Sequence, residues 1–89
     1  MLSDLDKQSV EWFARQMIIK LEANINKRHW FRSSYGYLFD GLKEEVKELE
    51  EELQNDKVPY KHKKIIAECA DIGNRAMMIA DKAKKGAIF

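Results

Sequence analysis

Two groups of carboxylates, Glu44-Glu45-x-x-Glu48 and Glu68-x-x-Asp71, stand 19 residues apart in a chain of 89. On a helix, carboxylates three positions apart share one wall, separated by about 60° around the axis. Two such pairs on neighbouring antiparallel helices can face each other and enclose one small volume with four acids. Like charges at that range repel unless a cation sits among them, so the pattern predicts a hard divalent metal, most simply Mg²⁺. Mg²⁺ gathered by carboxylates commonly serves phosphate chemistry.

The glutamate run of 44–53 has an ordinary explanation as a solvated helix face. Glu68-x-x-Asp71 does not, because it interrupts a segment otherwise suited to burial, where Asp and Glu rarely stand unpaired. On a helical wheel Glu68, Asp71, Asn74, Arg75 and Lys82 form one polar sector. Glu45 and Glu48 flank the apolar stripe of their own helix, while Glu44 and Glu51 point further away. The best metal quartet is therefore Glu45, Glu48, Glu68 and Asp71, with Glu44 adjacent.

Three helices are needed to position these residues. The first runs from about Asp4 to Asn26, opened by Ser3-x-x-Asp6 in the manner of a capping box, with Val10, Phe13, Met17, Leu21 and Ile25 at helical spacing. Trp12 and Ile19 fall off that stripe and make a second apolar patch, read as a subunit contact. Residues 26–32 lack periodicity and read as a loop. Ser33 or Ser34 caps a second helix from about Tyr35 to Asn55, with Leu38, Leu42, Val46, Leu49 and Leu53 as its stripe. Gly36 and Gly41 in its early turns predict close packing or a bend. Pro59 suits the first turn of a third helix reaching about Lys85, with Gly86 as its stop. Apolar around more than half its wall, that helix should be the most buried.

The expected fold is all-α: one domain over residues 1–89, its three helices forming a four-helix-bundle-type core completed by dimerisation. At this length a lone core is marginal, burying roughly 60–65% of the unfolded surface. A dimer is the minimal expectation, and a tetramer built as a pair of dimers fits too. Sixteen basic residues against 15 acidic ones leave a net charge of +1, so no strong field favours nucleic acid or an anionic membrane. The lone Cys69 supports no internal disulfide and reads as core packing. With no signal peptide and no 18-residue apolar run, a soluble cytoplasmic protein is expected.

The two acidic groups, the 19-residue spacer and Asn74 three residues after Asp71 resemble the signature of the MazG-like all-α nucleotide pyrophosphohydrolases. Their relatives include the all-α dUTPases and dCTPases and the phosphoribosyl-ATP pyrophosphohydrolases. Asn24-x-x-Lys27-x-x-Trp30 before the motif and Ala76-Met77-Met78-Ile79-Ala80-Asp81 after it extend the likeness over roughly residues 14–85. The resemblance implies hydrolysis of a nucleoside triphosphate between its α and β phosphates, giving monophosphate and pyrophosphate. It implies Mg²⁺ held by Glu45, Glu48, Glu68 and Asp71, and a water oriented or deprotonated by Glu44 or Glu48.

By the same analogy Asn74 contacts sugar or phosphate, Lys27, Arg75 and Lys82 supply positive charge to phosphates, and Trp30 stacks on the base. Each has a plainer role open to it: an interhelical plug for Trp30, an ion pair with Asp71 for Arg75, a helix-dipole partner for Lys82. Arg28-His29 stands where several relatives carry small residues. Phosphoribosyl-ATP is an alternative substrate, and a non-catalytic helical dimerisation or binding module is the alternative from another class.

Overall fold

The architecture, taken from a computed structural model describing residues 1–24, 29–54 and 61–87, is all-helical, with no strand among those residues. Helix α1 spans Asp4–Ala23, α2 spans Tyr35–Gln54 and α3 spans His62–Ala87, with a short 3-10 turn at Trp30–Arg32 before α2. Ser3 caps α1 as its sequence predicts: its hydroxyl accepts from the Asp6 N–H, and the Asp6 carboxylate accepts from the Ser3 N–H. Ser34, rather than Ser33, takes the capping role on α2, its hydroxyl accepting from the Tyr37 N–H at 3.1 Å.

Helix α3 is the spine. Both other helices pack on it, and it contributes Ala70, Asn74 and Met78 of the four buried residues described, Leu38 being the fourth. Gly73 lets α1 approach: a Cβ there would lie 3.0–3.2 Å from the Phe13 ring and the Met17 sulfur. From α1 the stripe Phe13, Met17 and Leu21 is half-buried in this contact, whereas Val10 is exposed and Ile25 lies outside the described residues.

Helix α2 is rolled relative to the stripe its leucines suggest. Its inward positions are Leu38, Gly41, Leu42, Glu45, Leu49 and Glu52, while Val46 and Leu53 are exposed. The cause is polar. Gly41 leaves room for the Arg75 guanidinium, whose Cζ would stand 3.0 Å from a Cβ at that position. One end of the pair is fixed by Lys64, which holds Glu52 at 2.9 Å. Gly36, by contrast, has only the Ser34 hydroxyl near it, so close packing is not its role. Helix α3 also runs through Gly86 instead of stopping there; no described glycine adopts a positive φ, and the Lys85–Asp81 pair supports the last turns. Pro59 lies outside the described residues. No described helix is long and apolar enough to cross a membrane.

Candidate functional site

The Glu52–Lys64 pair sets an antiparallel register between α2 and α3, reinforced by Lys61, whose ammonium donates to the Glu52 carbonyl at 3.2 Å. One and two turns further on, that register faces Glu48 and Glu45 toward Glu68. Glu45, Glu48 and Glu68 each place a carboxylate oxygen within 4.8 Å of the other two. Glu48 is the solvent-open member, and Glu45 and Glu68 are half-buried.

Burial and crowding raise the pKa of Glu45 and Glu68. Desolvation is the largest cause of Glu45 being pushed up to about 7, followed by the Asp71 charge and by hydrogen bonding to Glu48, against which Arg75 acts. Glu68 is raised in the same direction, again chiefly by burial and then by Glu48, with Lys20 opposing. Its Oε2 is buried without a hydrogen-bond partner among the described residues. An orphaned carboxylate oxygen beside two more carboxylates suits a hard cation, since every donor is oxygen. The residues present therefore fit Mg²⁺.

Asp71 stands beside this triad rather than within it. Lys20 of α1 engages it at 3.4 Å, and it lines a small cavity of about 30 Å³ with Glu45, Asn74, Arg75 and Lys20. Asn74 is buried; its amide donates to the Met17 carbonyl at 3.0 Å, while Oδ1 has no partner among the described residues. That bond ties α1 to the polar sector of α3. Glu44 is exposed and outside the close group.

Arg75 and Met78 also line a second cavity, of about 230 Å³, shared with His29, Trp30, Ser33, Tyr37 and Leu38. Trp30 is held there by its edge: the indole N–H donates to Asp81 at 2.9 Å, and Lys85 closes on the same carboxylate oxygen at 2.8 Å. Those two contacts hold the Asp81 carboxyl below the usual carboxylate range. Arg75 thus faces the acids on one side and the aromatic cavity on the other.

Lys82 is not brought to the acids. Its ammonium donates to the Phe31 carbonyl at 3.2 Å and lies 5.1 Å from the Tyr35 ring centre, fastening the 3-10 turn to α3. Lys27 lies outside the described residues. Lys20 was missed as a site residue, although a lysine seven after Phe13 and three after Met17 breaks an apolar stripe and is a readable signal. His29, Ser33 and Tyr37 carried no such signal, because their place follows from the path of the segment before α2. No family model, curated protein or solved structure matches the chain.

Proposed function

We propose that the chain is a MazG-like, Mg²⁺-dependent nucleoside triphosphate pyrophosphohydrolase, cleaving between the α and β phosphates to release a monophosphate and pyrophosphate. The observation carrying this reading is the triad Glu45, Glu48 and Glu68, three carboxylates within 4.8 Å, one with an orphaned oxygen. The motif resemblance supports it. So does the neighbouring aromatic cavity, reached past Arg75.

Glu45, Glu48 and Glu68 would hold the metal, with Asp71 completing the set when Lys20 releases it. A bound Mg²⁺ supplies Lewis acidity, offsetting charge on the phosphates and on the departing pyrophosphate. Glu48, open to solvent, orients the attacking water and accepts its proton; exposed Glu44 is the other candidate. Arg75, between the two cavities, offers its planar guanidinium to phosphate oxygens. Asn74 contributes its free amide oxygen to the sugar side. The cavity of about 230 Å³ between Trp30, Tyr37 and His29 is below the size of a whole nucleotide site and suits a base.

The active form is a homodimer, or a tetramer built from it, in which a second copy completes a four-helix-type core. The lone Cys69 and the absence of a disulfide framework fit a reducing cytoplasm, where removal of non-standard nucleotides is a natural role. Phosphoribosyl-ATP remains an alternative substrate of the same chemistry. The exposed apolar residues of α1 and α2 favour one rival, a non-catalytic dimerisation module. Purified protein with Mg²⁺ and a broad nucleotide panel separates the two. Pyrophosphate from at least one nucleotide, abolished by Glu48→Gln, supports the enzyme; none from any supports the module.

A further inference from the structure

A groove runs between α1 and the first half of α3. Its walls are apolar: Ile19 from α1, and Ile66, Ala67 and Ala70 from α3. Ala70 is fully buried, while Ile19 is 57% exposed. The two alanines make the groove, because their short side chains leave a hollow of about 230 Å³ that longer ones would fill. At about 100° per residue its α3 members lie roughly 100–160° around the helix from Glu68. Three donors, Gln16, Lys20 and Lys63, share this lining, and no acid does. Neither the Lys63 ammonium nor the Gln16 amide has a hydrogen-bond or ion-pair partner among the described residues. Lys20 holds Asp71 only loosely, at 3.4 Å and with 32% of its side chain exposed.

We infer that this groove binds a medium-chain carboxylate, its tail against the isoleucines and alanines and its head on Lys20 and Lys63. Small-molecule sites have this composition, mostly apolar walls with a few polar groups that fix the head. The charge selects an anion: two ammonium groups and an amide, with no carboxylate among them, favour a charged oxygen pair over a neutral head through charge-assisted hydrogen bonds. The volume selects the length. At about 230 Å³ the hollow falls below the roughly 300–1,000 Å³ of drug-sized ligands, so a tail of about eight carbons suits it better than a long lipid chain. Lys20 connects the groove to the acids, since it lines both this hollow and the small cavity of Asp71. A head group that draws Lys20 leaves Asp71 without its cation. By reciprocity, removing the Asp71 charge frees Lys20 for the head group.

This inference goes beyond the enzyme reading and rests on neither metal nor nucleotide. The test is an NMR titration of the metal-free full chain with octanoate. Saturable shifts are expected at Ile19 and Ile66, with a dissociation constant of about 1 mM. Octanol, which has the chain without the charge, and acetate, which has the charge without the chain, should each bind about tenfold more weakly. Lys63→Gln should weaken octanoate about fivefold, and Asp71→Asn should tighten it about threefold by freeing Lys20. Ala67→Leu, which fills the hollow and keeps both lysines, should abolish binding. Shifts that do not saturate, equal affinity for octanol, or shifts centred on Trp12 or Phe39 instead of the groove would overturn the inference. So would an octanoate affinity unchanged in Lys63→Gln and Ala67→Leu. An unchanged or weaker affinity in Asp71→Asn would overturn the role given to Lys20. If Ala67→Leu fails to fold, Lys63→Gln and the octanol comparison decide. With no metal or nucleotide in the experiment, its failure and the failure of the enzyme reading are separate outcomes.

Discussion

Glu68 and Asp81 sit 13 residues apart on the same helix and meet opposite fates. Asp81 receives the Trp30 indole N–H and the Lys85 ammonium, and its carboxyl is held below the ordinary range. Glu68 meets Glu45 and Glu48 instead, keeps one buried oxygen unpartnered and is pushed upward. A fold that satisfies its acids at one end of α3 and crowds them at the other is locally inconsistent. Such inconsistencies concentrate at functional sites. Asp81 serves structure, and under the proposed function Glu68 waits for a cation.

The comparison breaks most sharply at Glu48. Replacing it with Gln removes the group that meets both Glu45 and Glu68, and pyrophosphate release is expected to fall by about 100-fold or more. Retained turnover in a steady-state assay would move the acid–base role to Glu44. A smaller effect is expected at Gly41, where Arg75 joins the two ends. A methyl group there would lie 3.0 Å from Arg75 Cζ and displace this flexible guanidinium. Gly41→Ala should hold or raise the melting temperature, since alanine favours helix by about 1 kcal/mol. It should nevertheless lower kcat/KM by about 10-fold through misplaced charge.

The crowded end also has a pH signature. Glu45 binds its proton more tightly in the folded chain, at about 7 against an ordinary 4.5. The stability this contributes is fully present below about 4.5 and is lost as pH rises through about 7. Metal-free protein should therefore melt at a lower temperature at about pH 8 than at about pH 6, and Glu45→Gln should flatten that dependence. A melting temperature that rises across the same range would show that the repulsion is not felt. The mildest change is expected at the satisfied end. Asp81→Asn, in a Trp12→Phe background, should weaken the near-ultraviolet circular dichroism of Trp30 while leaving pyrophosphate release within about twofold.

The helices, the capping box at Ser3 and the dominance of α3 were legible in the sequence, because each follows from local spacing and burial. The acids were legible too, since Glu68-x-x-Asp71 interrupts an apolar wall. The roll of α2 was not: it depends on Arg75 seating against Gly41, a long-range contact with no local trace. For that reason Val46 and Leu53, expected inside, are exposed, and Glu45 and Glu52 are turned inward. Spacing, wheel position and the resemblance group Asp71 with the triad; the structure engages it with Lys20 from a different helix. Lys82 was grouped by wheel position and instead reaches the Phe31 carbonyl, because its long side chain follows the turn packed at its level.

The most direct measurement is titration calorimetry of the metal-free chain with Mg²⁺ at about pH 8, where Glu45 is ionised. The account predicts saturable binding that releases fewer protons as pH is raised, strongly weakened in Glu45→Gln and Glu68→Gln but unchanged in Asp81→Asn. Absence of binding, or equal affinity in all four proteins, would contradict it.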